Sequence, residues 1–415
     1  MSTTTSLDDR LEALFTSDAE AMRDQTEIFA EARASGPVID LGWVSLITRH
    51  SGVKAAVRDM RLINQAYGQG SRAEAVRARL DTDELRHAFE EVSAFESNFL
   101  SRTDDAQHIR LRRLLQHAFT PKRIAELGEA VDRYTAQFLA PLHEGEEADL
   151  MPFAYRLPLM VVCDMLGVPA ADRELIHDWS LAVARNRGGL EPGPLLDSYK
   201  AETEFRAYVQ EMIDHHRRSA GSGGPLVAAL LDAEDEEGIT LEEMTANFVV
   251  LLFAGHETTT SLIGGGVLGL LESPDQWQLL VDDPAAIEPS IPELLRHVSP
   301  VQWIVRFARE TLEVDGETIE QGKTVLPLVA SANRDAAVFA RPDTLDIKRP
   351  DVREMLAFGL GAHYCLGASL ATLEGTIALR ALTEQFPKLE LTGPDVSWDG
   401  NAQFRRPAAL HVRLG

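Results

Sequence analysis

The sequence predicts a mainly α-helical chain with a minor β part, folded as one large domain over residues 1–415. Three observations carry this. Helical periodicity dominates from about Asp104 to Val298; strand signals are confined to the stretches around Val38 to Ile47 and Phe307 to Val329; and neither a repeat of about 20 to 50 residues nor a low-complexity linker divides the chain. At roughly 150 residues per domain the length would allow two or three domains, so the lack of an internal boundary decides for one.

Residues 1–36 read as a lead-in, 37–50 and 307–330 as a small β-rich part, and 104–300 with 350–386 as the helical core. Thr120-Pro121 sets a capping hydroxyl before a proline, whose fixed φ and missing N–H suit a first helical position. The glycine-rich stretch from Ala220 to Pro225 reads as a loop. Thr240-Leu-Glu-Glu243 is a capping box, and Ser273-Pro-Asp-Gln276 follows the same logic. In Leu312-Glu-Val-Asp315-Gly316-Glu-Thr-Ile319 an Asp-Gly turn joins two short alternating runs, a hairpin pattern. After Cys365, the residues Leu366, Leu370, Leu373, Ile377 and Ala381 recur at helical spacing until Phe386-Pro387 ends the run.

Composition removes several function classes. The chain carries 65 Asp plus Glu against 40 Lys plus Arg, a formal charge of −25, which disfavours nucleic acid or an anionic membrane as a principal partner. Apolar residues at 45% and charged residues at 25% fit a soluble globular protein. Two cysteines, Cys163 and Cys365, cannot build a disulfide framework and fit a reducing compartment. Met1 to Arg10 lacks the basic start and apolar centre of a secretory leader, and Phe248 to Leu271 is interrupted by His256, Glu257 and three threonines. A cytoplasmic location with no membrane anchor is expected.

The most informative segment is Phe358-Gly-Leu-Gly361-Ala-His363-Tyr-Cys365-Leu-Gly367. Glycines at 359, 361 and 367 suit a tight backbone that takes positive φ and approaches a flat object closely. A cysteine just ahead of a helix start lies near backbone N–H groups and the positive end of the helix dipole, which favour thiolate, and a thiolate can ligate a soft metal. The alternative is a free core cysteine in a glycine-rich turn. A dinucleotide fingerprint is excluded, because Tyr364 stands where its third glycine belongs. Cys163, in Leu157-Pro-Leu-Met-Val-Val-Cys-Asp-Met-Leu166, reads as a small buried core residue. The 358–367 segment resembles the haem-binding loop of the cytochrome P-450 family, Phe-Gly-x-Gly-x-His-x-Cys-x-Gly, at all six specified positions. The resemblance implies that family's fold, with haem b held between a long distal helix and the cysteine loop. It further implies Cys365 as the thiolate ligand of the iron, Phe358, Gly359 and Gly367 in contact with the haem, and dioxygen as co-substrate.

Beyond the capping box at Thr240, Phe248, Leu251, Leu252 and Leu262 define one helical face, with Ala254, Gly255 and Thr258 on or beside it. At 100° per residue Ala254, Thr258 and Leu262 fall within about 80°, so small and hydroxylic groups leave a groove along the inner stripe. Gly255 and the β-branched run Thr258-Thr-Thr260 lower helix propensity, which predicts a local bulge where a ligand enters. The alternative is a core helix whose threonine hydroxyls bond back to carbonyls four residues earlier. A zinc-protease reading of His256-Glu257 fails, since the second histidine of H-E-x-x-H would fall at Thr260. Ala254-Gly-His-Glu257-Thr258 resembles the family's oxygen-activation motif, Ala/Gly-Gly-x-Asp/Glu-Thr. That implies that Thr258 hydrogen-bonds dioxygen and helps deliver protons, that Glu257 relays them from solvent, and that Ala254 lies against the haem.

Glu293 and Arg296, three apart on a predicted helix, can pair on one face, although Pro292 costs a helix hydrogen bond unless it lies in the first turn. On the helix from Asp105, His108 and Arg112 line up with Leu115 and Phe119 and turn inward, whereas Arg110 and Arg113 turn away. In chain order, Glu293-x-x-Arg296 and Arg349 resemble the family's structural Glu-x-x-Arg pair and its meander arginine. Likewise His108, Arg112, Arg306 and His363 resemble its partners for the haem propionates.

The resemblance covers the chain from about Pro37 onward. It implies a pocket lined by Val250, Phe253 and Ala254, by Ile304 and Val305, by the loop from Ala66 to Leu100 and by the segment near Arg185 to Leu195. Apolar walls imply a hydrophobic small-molecule substrate, selected by shape and exclusion of water. With no flavin or iron–sulfur segment in the chain, electrons are expected from a ferredoxin-type donor with an NAD(P)H-dependent reductase. Part of the basic cluster Arg102, Arg110, Arg113, Lys122 and Arg123 would dock such an acidic partner on the cysteine side, unless these residues form a plain solvated face. Monooxygenation is the leading expectation. Peroxygenation, oxidative coupling and a non-enzymatic haem sensor are the other readings, and Glu257-Thr258 argues against obligatory peroxide use.

Overall fold

Each capping signal stands where a helix begins. The structure, a computed structural model, describes residues 6–64, 68–185, 194–218, 238–393, 396–399 and 402–415. The expected loop from Ala220 to Pro225 and most of the segment from Arg185 to Leu195 lie outside them. Thr120 caps the helix Pro121–Leu139 through its side chain, whereas Ser273 precedes Pro274–Asp282 without a side-chain cap bond. At Thr240 both bonds of the capping box form, from the Glu243 N–H at 3.1 Å and from the Thr240 N–H to Glu243 Oε2 at 3.0 Å. No helix among the described residues is long and apolar enough to cross a membrane.

The lead-in is more than a tail. Helices Leu7–Phe15, Ala19–Arg23 and Gln25–Ser35 bury Leu11, Leu14, Phe15, Ile28 and Phe29 against Trp303 and Leu326. Its signal was a second capping box, Ser6 with Asp9. The expected strands Val38–Asp40, Ser45–Ile47, Arg306–Ala308 and Thr324–Pro327 join Leu62–Ile63 in one five-stranded sheet, in which only Ser45–Ile47 and Thr324–Pro327 run parallel. The hairpin Leu312–Val314 with Glu317–Ile319 turns at Asp315 and Gly316, both at positive φ as the Asp-Gly pair requires. A three-stranded sheet of Glu147–Asp149, His411–Arg413 and Glu390–Leu391 was not legible, because strands of two or three residues carry too little alternation.

The central element is the helix Leu241–Leu271, 31 residues long. It contacts helices Met151–Leu166, Leu195–Arg218, Ile287–Val298 and Ala368–Gln385, so it is apolar nearly all round. The expected bulge is not present: the helix runs unbroken through Gly255 and the threonines. Thr258, Thr259, Thr260 and Ser261 donate to the carbonyls of Ala254, Gly255, His256 and Glu257 at 3.0, 3.2, 2.8 and 3.2 Å. Burial on several sides outweighs the few tenths of a kcal/mol per residue by which propensity disfavours these residues. Farther along, a Cβ on Gly264 would lie 2.5 Å from Met151 Sδ, and one on Gly265 would lie 2.9 Å from Val298 Cγ1. There the glycines serve close helix packing.

The helix Ile287–Val298 begins five residues before Pro292, which therefore sits in its interior and forfeits one hydrogen bond. Its Glu293 carboxylate accepts from Arg296 at 2.7 and 2.9 Å and from Arg349 at 3.0 Å on both oxygens. All three side chains are buried, away from the cavity described next.

Candidate active site

A cavity of about 400 Å³ lies between the long helix and the cysteine loop. Ala254 and Thr258 line one wall; Cys365, Phe358, Gly359 and Gly367 line the other. Gly359 and Gly361 take φ of 67° and 69°, as expected. Gly367 does not: at φ −88° it caps the helix Ala368–Gln385 in a conformation open to other residues. Its N–H reaches the Cys365 sulfur. Burial nevertheless dominates and raises the Cys365 thiol above its ordinary value, with the Gly367 N–H and the Arg112 charge pulling the other way. The helix end therefore does not make a thiolate unaided, and a cation at the sulfur is what deprotonates a ligating thiol. Cys365 is exposed, but toward the cavity.

One edge of the cavity is cationic. Arg112 donates to the Tyr364 carbonyl at 2.8 Å, and the buried Arg306 donates to the Val305 carbonyl at 3.0 Å and to Asn64 Oδ1. His108 places its ring nitrogens 3.1 Å from the carbonyls of Leu100 and Ala362, with its ring 3.9 Å from that of His363. The Asn64 amide donates to Asp104 Oδ1 at 3.0 Å, and His363 Nε2 lies 2.9 Å from that amide nitrogen and 3.4 Å from Asp104. Burial lowers the His363 pKa, with Asp104 opposing. Burial also works to raise Asp104, but the bonds from His363 and Asn64 bring it to about 2. Asn64 and Asp104 were missed by sequence reasoning, since neither lies in a motif and their partners are far away in the chain.

This arrangement fits haem. A thiol stands on one face, small residues on the other, apolar side chains line the rim, and Arg112 and Arg306 at one edge exceed the single nearby carboxylate of Asp104, leaving positive charge for two propionates.

The long helix separates the acid from the alcohol. Thr258 lines the cavity, but Glu257, one residue and 100° away, does not. Glu257 is buried on the outer side, where Arg406 Nη1 donates to Oε2 at 2.5 Å and also pairs with Asp399. Burial works to raise the Glu257 carboxyl, yet His256 and Arg406 hold it at about 2. A second acid lines the cavity instead. Glu374, from the helix Ala368–Gln385, is pushed up to about 8 by burial, with the neighbouring Thr259 opposing, and its Oε2 has no hydrogen-bond partner. No motif marked it.

The apolar walls include all of Val250, Phe253, Ile304 and Val305, together with Leu100 from the expected 66–100 loop. Phe404 was not foreseen; it packs edge-on against Phe253 at 5.4 Å. The basic cluster is narrower than its sequence suggests. Arg102 lies 3.2 Å from Glu96 and lines the cavity, and Arg110 lies 2.5 Å from Glu243, whereas Arg113 and Lys122 are exposed.

The family model for cytochrome P450 matches residues 190–280 and 287–397. The vitamin D(3) 25-hydroxylase of Pseudonocardia autotrophica is 36% identical over 376 residues, 88% of this chain and 86% of that protein. The chain belongs to the cytochrome P450 family. The 6-deoxyerythronolide B hydroxylase of Saccharopolyspora erythraea is 32% identical to this P450 over 400 residues, 94% of this chain and 96% of its own. The structure of the Bacillus subtilis bacillaene polyketide synthase cytochrome P450 PksS superimposes with a TM-score of 0.84 at 30% identity, covering 96% of this chain and 99% of that one. The P450 is an oxidoreductase, a haem-thiolate monooxygenase that uses haem b and dioxygen to oxidise a hydrophobic small molecule with electrons from redox partners.

Proposed function

We propose that Cys365 ligates the haem iron of this monooxygenase, that Arg112, Arg306, His108 and His363 hold the propionates, and that Thr258 with Glu257 manages protons. The observation that carries this reading is the opposition of Cys365 to Ala254 and Thr258 across one cavity. When bound, haem supplies the redox centre at which dioxygen is split, one oxygen atom entering the substrate and the other leaving as water. The chain's own residues do the rest. Arg112 and Arg306 seat the two carboxylates, while Val250, Phe253, Ile304 and Val305 exclude water and hold a C–H bond of a hydrophobic substrate in place. Thr258 gives its O–H to the Ala254 carbonyl at 3.0 Å, so its oxygen keeps lone pairs facing the cavity, able to accept and pass on a proton. Glu257 brings protons to the outer side of the helix and reaches Thr258 by releasing Arg406. Glu293, Arg296 and Arg349 are structural.

Two relatives are named for hydroxylating vitamin D(3) and 6-deoxyerythronolide B. By that analogy the substrate of this chain is a hydrophobic small molecule, hydroxylated at carbon. Its electron donor is a ferredoxin served by an NAD(P)H-dependent reductase. The donor docks on the cysteine side, where Arg113 and Lys122 are exposed and Ile109 and Tyr364 offer apolar contact at 68% and 43% exposure. A cytoplasmic location agrees with the free thiols of Cys163 and Cys365.

The reduced protein with carbon monoxide tests the ligand. The long-wavelength thiolate band should appear in wild type and vanish in Cys365→Ala; a histidine-type band in intact wild type overturns the assignment. Thr258→Ala should keep the band and divert reducing equivalents to peroxide, and undiminished coupling would refute the proton role.

A further inference from the structure

Behind the long helix, on the side away from the cavity, four buried polar atoms lack a well-formed hydrogen bond: Tyr155 Oη, His177 Nδ1, His256 Nε2 and Glu257 Oε1, the last two 3.1 Å apart as an ion-pair contact. Buried polar atoms are satisfied in the great majority of cases, so such a group calls for a cause. The elements fit together. Tyr155 comes from the helix Met151–Leu166, His177 from Arg173–Arg185, and His256 and Glu257 from the long helix. The Tyr155 ring lies 3.9 Å from that of His177 and 6.0 Å from that of His256. His256 is 0% exposed and Glu257 2%, whereas Tyr155 and His177 are half-buried and lead outward.

The tautomer of His256 is fixed by its neighbour. Its Nδ1 lies 2.6 Å from the Leu252 carbonyl, which can only accept, so Nδ1 carries a hydrogen. In a neutral ring Nε2 would then hold a bare lone pair. That lone pair would face Glu257 Oε1, a carboxylate acceptor only 3.1 Å away. A bare lone pair at that distance from a carboxylate is repelled, whereas an imidazolium is attracted to it even without an aligned hydrogen bond, and Arg406 keeps Glu257 in its anionic form through Oε2. The proton therefore belongs on His256.

We infer that His256 is an imidazolium that holds the proton delivered through Glu257, and that Tyr155 and His177, bridged by water, recharge it from solvent. The inference rests on the proposed relay role of Glu257 and deepens it. In each cycle a proton moves from His256 Nε2 to Glu257 Oε1, and bulk water replaces it through the bridge at Tyr155 Oη and His177 Nδ1, so charge balances. The surrounding charges suit an entrance for cations. Glu174 and Asp178 lie near Tyr155 and His177, Asp399 binds Arg406, and Arg406 is the one opposing cation among these. Cys163, two turns farther along the Tyr155 helix, stays a neutral thiol, its pKa pushed up to about 12 by burial. His256 acts through Glu257 and is a positioning residue for the proton.

Nuclear magnetic resonance of the ¹⁵N-histidine-labelled, carbon monoxide-bound ferrous holoenzyme reads this directly. His256, assigned by the signals lost in His256→Gln, should show both ring nitrogens protonated at neutral pH. Glu257→Gln, which removes the charge that holds the proton, should return it to the neutral Nδ1–H form. A neutral His256 in wild type overturns the inference. A crystal structure should show ordered water in reach of Tyr155 Oη and His177 Nδ1, and a dry pocket overturns the recharging route. Dioxygen serves as the probe in substrate-free turnover with a surrogate ferredoxin and reductase. His256→Gln should raise the peroxide-to-water ratio by about tenfold or more. Tyr155→Phe should raise it less, with an unchanged melting temperature and carbon monoxide spectrum. If Glu257→Gln raises the ratio while the His256 and Tyr155 variants do not, this inference fails and the Glu257 relay survives. If Glu257→Gln has no effect, the relay itself fails.

Discussion

Replacing Glu293 by glutamine should destabilise the fold by an amount that the structure allows us to work out. Glu293 is 1% exposed and serves two buried guanidiniums, Arg296 at 0% and Arg349 at 6%. The amide keeps the volume but loses the charge, and its NH₂ group faces the donors of Arg296 or Arg349. Breaking a buried pair by altering one partner costs about 3–5 kcal/mol, because the remaining charge stays desolvated. An unfolding entropy of about 2.1 cal/mol/K per residue over 415 residues gives about 0.9 kcal/mol/K, so the melting temperature should fall by about 3–6 °C. Circular dichroism of the haem-loaded protein at one scan rate measures it. Glu288→Gln, exposed on the same helix, is the control and should change stability by less than about 0.5 kcal/mol. A Glu293→Gln shift no larger than that control would refute the structural role assigned to the three residues.

Other outcomes follow from the cavity. Glu374 has its carboxyl raised from 4.5 to about 8, so the folded chain binds a proton there that the unfolded chain has lost. Stability of wild type relative to Glu374→Gln should fall as pH rises from about 4.5 to about 8, by up to about 1.4 kcal/mol per pH unit. A pH-independent difference in denaturant midpoints would contradict this. Arg306→Ala removes charge-assisted hydrogen bonds worth about 1.5–3 kcal/mol, so haem should transfer to an apo-acceptor protein about 10- to 150-fold faster, and an unchanged rate would remove Arg306 from the propionate site. Arg113→Glu should slow reduction by an acidic ferredoxin at low salt and lose its effect as salt rises; unchanged kinetics would leave Arg113 as a solvated charge.

What the sequence reveals about the site depends on how local each relation is. Cys365, His363 and the loop glycines stand within ten residues, and Ala254 to Thr258 within five, so both walls of the cavity could be read before any fold was known. Asn64 joins Arg306, His363 and Asp104 across 242, 299 and 40 positions, and no periodicity encodes such a meeting. The inward turn of His108 and Arg112 follows from helical spacing alone, but the pairing of Arg110 with Glu243 spans 133 positions, and it was this that removed an arginine from the expected docking face. The predicted bulge failed for a related reason. Propensity is a property of the isolated segment, whereas the burial that keeps the helix unbroken comes from the other helices packed around it. Adjacency in sequence also misled: Glu257 and Thr258 are neighbours that the helical turn sends to opposite sides of a wall.

The glycines at 264 and 265 have an effect that reaches beyond their own contacts. With Met151 and Val298 pressed against bare backbone, the C-terminal end of the long helix is moored, and Asn247, bonded to Leu100 and Asn98, ties down the other end, so Val250 to Leu262 span the cavity like a beam held on both sides. A larger cargo would have to be admitted by yielding loops, because the beam cannot slide along its length without driving those side chains into main chain. Efforts to reshape the chamber should therefore alter residues on the span and leave the moorings intact.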